Sequence, residues 1–321
     1  MLKSLFLKTI KPGKGKIVKS FLKTQPNYFG FSVEFPYIHI IGKNDGPKGV
    51  ILSAIHGDEI NGIQVIHNIS KLIDTENFNG QLLLIPIVNI PGFNLHTRYM
   101  PDRRDLNRIF PGKNDGTEGH RLADLVWKSF VKGADFGIDL HSASYNRWNY
   151  PHIRGDMRNA EVRKLTRLFG APIALHSKGV KGSLRREATI RDIPFILFEA
   201  GQINRFELEV GTIGTSGVLG VLQGFEMLEN YNSSYISEPL AEYFSSSNWI
   251  RADQGGLFVP NAFPGDLIDT GQNLGEIRSV QGDIVSSIAS DVHGQVLGFN
   301  LHPQVVPGRA LFNIGNKPKF L

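Results

Sequence analysis

From about residue 48 to residue 230, apolar runs of strand length alternate with stretches of helical period. "GVILSAI" predicts a buried strand. "INGIQVIHNISKLI" predicts a helix with Ile60, Ile63, Ile66, Ile69 and Ile73 along one side. "QLLLIPIVN" predicts the next strand, and a long polar loop, "GFNLHTRYMPDRRDLNRIFPGKNDG", follows it. Loops of that length without a period of their own are usually functional or disordered, and this one is rich in arginine and asparagine. Thr117 stands where it would cap the helix "EGHRLADLVWKSFV". Then come the strand "FGIDLHSA", a helix near 158 to 169, the strands "PIALH" and "PFILFEAGQ", and a helical stretch to about residue 229.

Such alternation predicts an α/β fold, a mainly parallel mixed sheet with helices on both faces. Ligands bind outside the carboxyl ends of the strands in such sheets, which is where His56, His141 and Glu199 fall. Composition changes near "NYNSSYISEP", and after Trp249 the helical period gives way to short alternating runs punctuated by turn residues. These predict a small all-β domain of roughly 70 residues built from hairpins. The expected division is a basic N-terminal segment over 1–44, a catalytic domain over 45–245 and a β-rich, barrel-sandwich-like domain over 246–321. "GDLIDTGQNLGEI" resembles the half-repeat of a biotinyl/lipoyl-type sandwich. A carrier needs a modifiable lysine on a tight hairpin, and none occurs between Lys181 and Lys317.

The chain of 321 residues is long enough for a large core, and 41% apolar with 20% charged residues is ordinary globular composition. It has no cysteine, which excludes disulfides, thiolate metal sites and a cysteine nucleophile. The net charge of +5 reflects seven lysines (Lys3, Lys8, Lys11, Lys14, Lys16, Lys19, Lys23) that precede the first acidic residue, Glu34. The rest is near neutral, so no nucleic-acid stripe is expected, and the lysines read as a solvated arm. "MLKSLFLKTI" lacks the features of a secretory or transit signal, and no run is long enough to span a bilayer. A cytoplasmic protein without membrane contact is expected.

The candidate chemistry lies in "HGDE", "DLHS" and "FEAG". His56 and Glu59 sit at a strand-to-helix corner, where the reversing backbone can turn both side chains to one point. His141, ending a neighbouring strand, completes two imidazoles and one carboxylate, a normal set for catalytic Zn²⁺. Bound zinc lowers the pKa of water to about 7. Asp139, two residues before His141 on the same strand face, could orient the ligand set. Glu199 is the best-placed carboxylate to take the water proton and deliver it to a leaving amine. Arg98, Arg103, Arg104 and Arg108 offer cations for a developing oxyanion, and Asn107-Arg108 suits a carboxylate gripped through two parallel hydrogen bonds. Singly, each has a plain structural reading: a capping glutamate, a buried histidine, an Asp105–Arg108 ion pair. Their coincidence at separate strand ends is what points to a site. The other histidines have no comparable partners and read as structural or surface residues.

In order, "AIHGDEING", "TRYMPDRRDLNRIFPG", "GIDLHSAS" and "FILFEAGQ" resemble the succinylglutamate desuccinylase/aspartoacylase family, a branch of the zinc carboxypeptidase-like hydrolases. The resemblance runs from about residue 45 to the C-terminus. It implies His56, Glu59 and His141 as zinc ligands, one zinc per chain, and Glu199 as general acid/base. It implies Asn107 and Arg108 as the pair holding a substrate carboxylate, and Arg98 as the arginine polarising the scissile carbonyl. The spacing from Arg98 to Asn107 is longer than in aspartoacylase, so Arg103 or Arg104 could take that role. Arg154, Arg185 and Arg186 are further candidate anion binders.

The expected function is zinc-dependent hydrolysis of the amide of an N-acyl amino acid or similar small carboxylate, with no nucleic-acid or membrane partner. A homo-oligomer is compatible with it. The nearer rival is a carboxypeptidase acting on short peptides or poly-amino-acid tails. A rival of another class is a metal-binding or regulatory module without turnover. The β-rich domain is expected to lean over the pocket mouth.

Overall fold

The computed structural model describes residues 5, 15–24, 32–229, 240 and 242–321. The first four lysines, and the change of composition over 230–239, lie outside the described residues. The chain opens with three strands, β1 (Lys16–Lys23), β2 (Glu34–Ile41) and β3 (Asn44–Ser53), then helix α1 (Asn61–Leu72) and strand β4 (Asn79–Ile85). The polar loop carries a short helix, α2 (Ile90–Asn94), before α3 (Glu118–Val126), which runs into a wider turn over Trp127–Val131. There follow β5 (Phe136–His141), β6 (Arg147–Gly155), α4 (Ala160–Phe169), β7 (Ile173–His176), α5 (Leu184–Thr189), β8 (Phe195–Gly201) and α6 (Leu208–Gly224). The remainder is all strand: β9 (Glu242–Arg251), β10 (Gly256–Pro260), β11 (Leu267–Ile268), β12 (Asn273–Arg278), β13 (Ile284–Ala289), β14 (Gly294–Asn300), β15 (Gln304–Val305) and β16 (Ala310–Phe320).

Twelve strands form one mixed sheet in the order β1-β2-β4-β3-β5-β8-β6-β7-β9-β16-β14-β11. Its centre, β4-β3-β5-β8, is parallel, as the alternation predicts. Side-chain alternation sorts the two faces. Ile51 of β3, Ile138 and Leu140 of β5, and Ile196 and Phe198 of β8 enter one core with α1, α4 and α6. Val50 and Leu52 of β3 and Phe195 of β8 enter the other, with α3 and α5. Both faces are therefore covered, and each fully buried Leu, Ile or Phe contributes about 1.5–3 kcal/mol. The same alternation that sends Ile138 and Leu140 into the first core turns Asp139 and His141 the other way.

Two strands escape the apolar-run signal. β6 is polar and contains Pro151, yet it inserts antiparallel to β8 and parallel to β7. Lys16, Lys19 and Lys23, read as part of a solvated arm, belong to edge strand β1, paired with β2 from Lys16↔Ile41 to Lys23↔Glu34. Lysines on an edge strand discourage pairing with another chain. Thr117 does precede α3, but its hydroxyl makes no cap bond and lies 3.0 Å from Nδ1 of His120 instead.

The C-terminal strands continue the large sheet. β14 pairs with β6 and β16 with β9, while β6–β7 and β7–β9 contacts close a ring of five strands. Ile173, Leu175 and Leu297 are buried together, with Tyr150 and Phe244 packed against them. A separate four-stranded antiparallel sheet, β13-β12-β10-β15, supplies part of a third core around Phe258, Leu274 and Phe312. Among the described residues no helix is long and apolar enough to cross a membrane.

Candidate active site

The predicted residues converge at the carboxyl ends of β3, β5 and β8. β3 ends at Ser53, and Ala54 adopts a left-handed φ of 50°, which costs a non-glycine residue about 1–2 kcal/mol and starts the corner. Its carbonyl accepts a hydrogen bond from the Asn89 backbone. Gly57 lets the corner meet α2: a Cβ there would lie 2.0 Å from the carbonyl carbon of Gly92. His56 and Glu59 are thus brought round to one point, both buried.

Glu59 lies between the two histidines. Its Oε1 is 2.7 Å from Nδ1 of His56, and its Oε2 is 2.7 Å from Nδ1 of His141 and accepts from the Ser142 backbone. Donor atoms of His56, Glu59 and His141 all lie within 4.8 Å of one another. Each imidazole has its other nitrogen near an aspartate. Nε2 of His56 is 3.1 Å from Oδ1 of Asp105, and Nε2 of His141 is 2.8 Å from Oδ2 of Asp139, a close contact short of a well-aligned hydrogen bond. An aspartate on Nε2 favours the tautomer whose Nδ1 lone pair faces Glu59. Two imidazole nitrogens and a carboxylate, buried and convergent, fit a divalent cation of the zinc type.

The charges are strongly interdependent. Burial would raise the Glu59 carboxyl, but His56 and His141 hold it well below the usual range. Burial would lower His141, yet Asp139 and Glu59 push it well above an ordinary histidine; His56 is raised, with Glu59 and Asp105 outweighing burial. Burial tends to raise Asp105, but His56, Arg98 and Arg108 carry it far below the usual carboxylate range.

Glu199 is the Cα partner of His141 across β5 and β8, and its Oε1 accepts a hydrogen bond from Nδ2 of Asn149 at 3.0 Å. It does not cap α6, whose N-cap is Glu207. Burial, reinforced by the Glu59 charge, raises its pKa against the pull of Arg154. A carboxyl of that kind is a stronger base than an exposed one.

The arginines divide clearly. Arg98 points into the site: it grips Oδ2 of Asp105 through Nε and Nη2 at 3.2 and 2.9 Å, and Nη1 is 3.0 Å from Oε1 of Glu59. Arg103 and Arg104 do not line the cavity; Arg104 is 3.4 Å from Asp102 on an exposed turn. Arg108 lines it and is half-exposed, its strongest bond going to the Asn107 carbonyl. Asn107 is buried, its Oδ1 accepts from the Leu184 backbone at 2.8 Å, and its Nδ2 stands 3.5 Å from His141 Nε2. Its amide nitrogen is therefore the half left to meet a ligand. Arg154 and Arg185 line the cavity, whereas Arg186 does not and donates to the Gly179 carbonyl.

The cavity measures about 760 Å³. Trp249 of β9 lines it from the C-terminal strands and carries the Arg147 guanidinium 4.8 Å from its ring centre. The periodicity of the sequence had no means of finding Asp105, Asn149 or Trp249 as site residues. Asp105 was legible only as a partner of Arg108, and its closer partners are His56 and Arg98.

Comparison with known proteins finds relatives of this chain. The family described as "Succinylglutamate desuccinylase/Aspartoacylase catalytic domain" matches residues 45–225. The N-alpha-acetyl-L-2,4-diaminobutyric acid deacetylase of Halomonas elongata is 28% identical over 258 residues, 75% of this chain and 73% of that protein. The succinylglutamate desuccinylase/aspartoacylase from Rhodobacter sphaeroides superposes with a TM-score of 0.80 at 24% identity, over 94% of this chain and 97% of that one. The product-bound ectoine utilization protein EutE (DoeB) from Ruegeria pomeroyi gives 0.83 at 22% identity, over 96% and 98%.

Proposed function

The chain belongs to the succinylglutamate desuccinylase/aspartoacylase family, and on that premise we propose that it is a zinc-dependent hydrolase cleaving the amide bond of an N-acyl amino acid or related small carboxylate. One observation carries the reading: the His56–Glu59–His141 donor set stands at the strand ends beside Glu199, in a single cavity lined by arginines. The deacetylase from Halomonas elongata, named for an N-acetylated amino acid, supports it.

His56, Glu59 and His141 would hold the metal, with Asp105 and Asp139 orienting the imidazoles. Bound there, zinc supplies a Lewis acid and lowers the pKa of water to about 7. Glu199 takes a proton from the attacking water and returns it to the leaving nitrogen, so that the amine departs neutral. The Arg98 guanidinium, steered by its fork on Asp105, stabilises negative charge developing on the carbonyl oxygen. Arg108, only loosely engaged by Asp105 at 3.7 Å, binds the substrate carboxylate with Nδ2 of Asn107.

The volume of the cavity keeps a second reading, a carboxypeptidase acting on short peptides, because it exceeds what an acetylated amino acid fills. The reading divides the chain into a basic segment over 1–44, a catalytic domain over 45–245 and a β-rich region over 246–321.

The deciding experiment measures metal content of wild type and His56→Ala, then hydrolysis of N-acyl amino acids and of short peptides. We expect about one zinc per chain in wild type, lost in the variant, as for three-ligand catalytic sites. Faster cleavage of N-acyl amino acids than of peptides is expected. No metal in zinc-supplied wild type at neutral pH would overturn the mechanism.

A further inference from the structure

Strand β6 pairs with β8 along one edge; along the other it meets β14 at its first residues and β7 at its last. The pairing with β8 is uneven. Asn149 stands opposite Gly201 and His152 opposite Glu199, so three steps along β6 match two along β8. In a regular strand Asn149 and Arg154, five residues apart, would point to opposite faces. The extra residue, next to Pro151, brings both to the face that carries Glu199, and all three side chains line the cavity. Bulges beside active sites re-aim side chains in this way.

Asn149 is only 9% exposed, and its Nδ2 donates to Oε1 of Glu199 at 3.0 Å. Among the described residues, that is the only hydrogen bond the Glu199 side chain makes, and Oε2 has no protein partner. A neutral amide N–H donates both to a carboxylate and to the carbonyl oxygen of a carboxylic acid. Oε1 can therefore stay anchored while Oε2 takes up a proton and releases it.

Asn149 is itself held from the far side. Its Cα partner in β14 is Gly298, where a Cβ would lie 2.2 Å from Oδ1 of Asn149 and 2.9 Å from the Trp148 carbonyl oxygen. The amide thus packs on bare backbone of β14. Next to it, Nε1 of Trp148 donates to Oε2 of Glu207 at 2.7 Å, and Oε1 of Glu207 accepts from the Gln202 backbone at 2.8 Å. Gln202 follows Glu199 by three residues, so the facing ends of β6 and β8 are tied together around the carboxylate.

We propose that Asn149 is the positioning residue of the proton carrier: its amide holds Oε1 of Glu199 so that Oε2 alone exchanges the proton, and β14 keeps Asn149 in place through Gly298. The C-terminal strands are then part of the catalytic apparatus as well as a wall of the cavity. This rests on the deacylase reading, in which Glu199 moves the proton.

The test uses the full-length, zinc-loaded enzyme and the fastest-cleaved member of a panel of N-acetyl and N-succinyl amino acids. Asn149→Leu removes the donor at similar volume. It should lower kcat by about 10- to 100-fold, the scale of a misplacement near 1 Å, with KM and zinc content little changed. Asn149→Asp is isosteric and sets a second carboxylate against Glu199, so kcat should fall at least as far. In a Glu199→Gln background neither substitution should cost anything more, because groups acting through one another are not additive. A merely structural role would multiply the two losses instead. Gly298→Ala touches neither Glu199 nor the cavity; it too should lower kcat in wild type and be silent beside Glu199→Gln.

Independent losses in the double variants, a rise in KM with kcat intact, or lost activity matched by lost zinc overturns the proposal. A kcat untouched by Gly298→Ala overturns the part assigned to β14. If none of the panel is cleaved, or if Glu199→Gln is as active as wild type, the reading of Glu199 as proton carrier fails. Crystal structures of zinc-loaded wild type and Asn149→Asp then decide the positioning alone. A Glu199 carboxylate turned away in the variant supports it, and an unmoved one overturns it.

Discussion

Oδ1 of Asp105 lies 3.1 Å from Nε2 of His56, although 49 residues separate them. Its other oxygen is gripped by Arg98, so one carboxylate fastens the polar loop to the strand corner and orients a candidate metal ligand. Replacing Asp105 by Ala should weaken metal affinity about 10- to 100-fold, as loss of a carboxylate behind a ligating histidine does elsewhere. Competition against a chelating dye measures this. Unchanged affinity would mean that Asp105 serves only the loop.

Glu199→Gln keeps the hydrogen-bonding shape of the side chain and removes the proposed base. The expected result is a fall in kcat of about 10²- to 10⁴-fold with metal content intact. Since burial raises the Glu199 carboxyl above its ordinary 4.5, the acid limb of kcat/KM in wild type should have its midpoint above 4.5. Activity rises with pH there, because the working form is the one that has lost its proton. A limb at or below 4.5 would assign the base elsewhere.

His152 links stability to pH. In the unfolded chain its imidazole takes a proton near 6.5, but in the folded protein only near 3. Between those values the unfolded state holds the extra proton, so this residue makes stability fall as pH is lowered through the window. The loss amounts to about 1.4 kcal/mol for each pH unit. His152→Gln should therefore flatten the decline in urea midpoint between pH 6.5 and pH 4.5 relative to wild type. Parallel declines in the two proteins would show that the buried imidazole is not the responsible group.

Gly57 tests the corner itself. A methyl group there would meet the Gly92 backbone at 2.0 Å, too close for any side-chain adjustment to relieve. Gly57→Ala should cost about 1–3 kcal/mol, the usual scale of overpacking, and should also lower metal content because His56 and Glu59 flank the residue. Denaturation and metal analysis on the same sample would report both effects. A variant with normal stability and normal metal content would refute the close approach of α2 to this corner.

Much of this candidate site was legible in the chain because its candidate ligands sit where two local patterns end. An apolar run followed by a helical period places His56 and Glu59 at a strand-to-helix corner. Apolar runs ending in "DLHS" and "FEAG" place His141 and Glu199 at parallel strand ends. Parallel strands buried on both faces announce themselves as continuous apolar runs, so the central sheet was predictable as well. β6 was not, since its residues are selected by the cavity and by β14 rather than by a core on both sides.

The sequence alone determined which residue types reach the carboxyl edge of the sheet, because strand alternation and chain order are local properties. Only the tertiary structure decided which arginines reach the cavity. Arg98, Arg103, Arg104 and Arg108 stand within one loop that has no period, and folding turns Arg98 onto Glu59 while Arg103 and Arg104 stay outside the cavity. The tertiary structure also brought Arg154 and Arg185, from separate elements, to one cavity. Such pairings depend on long-range packing, which sets distances that spacing along the chain does not encode.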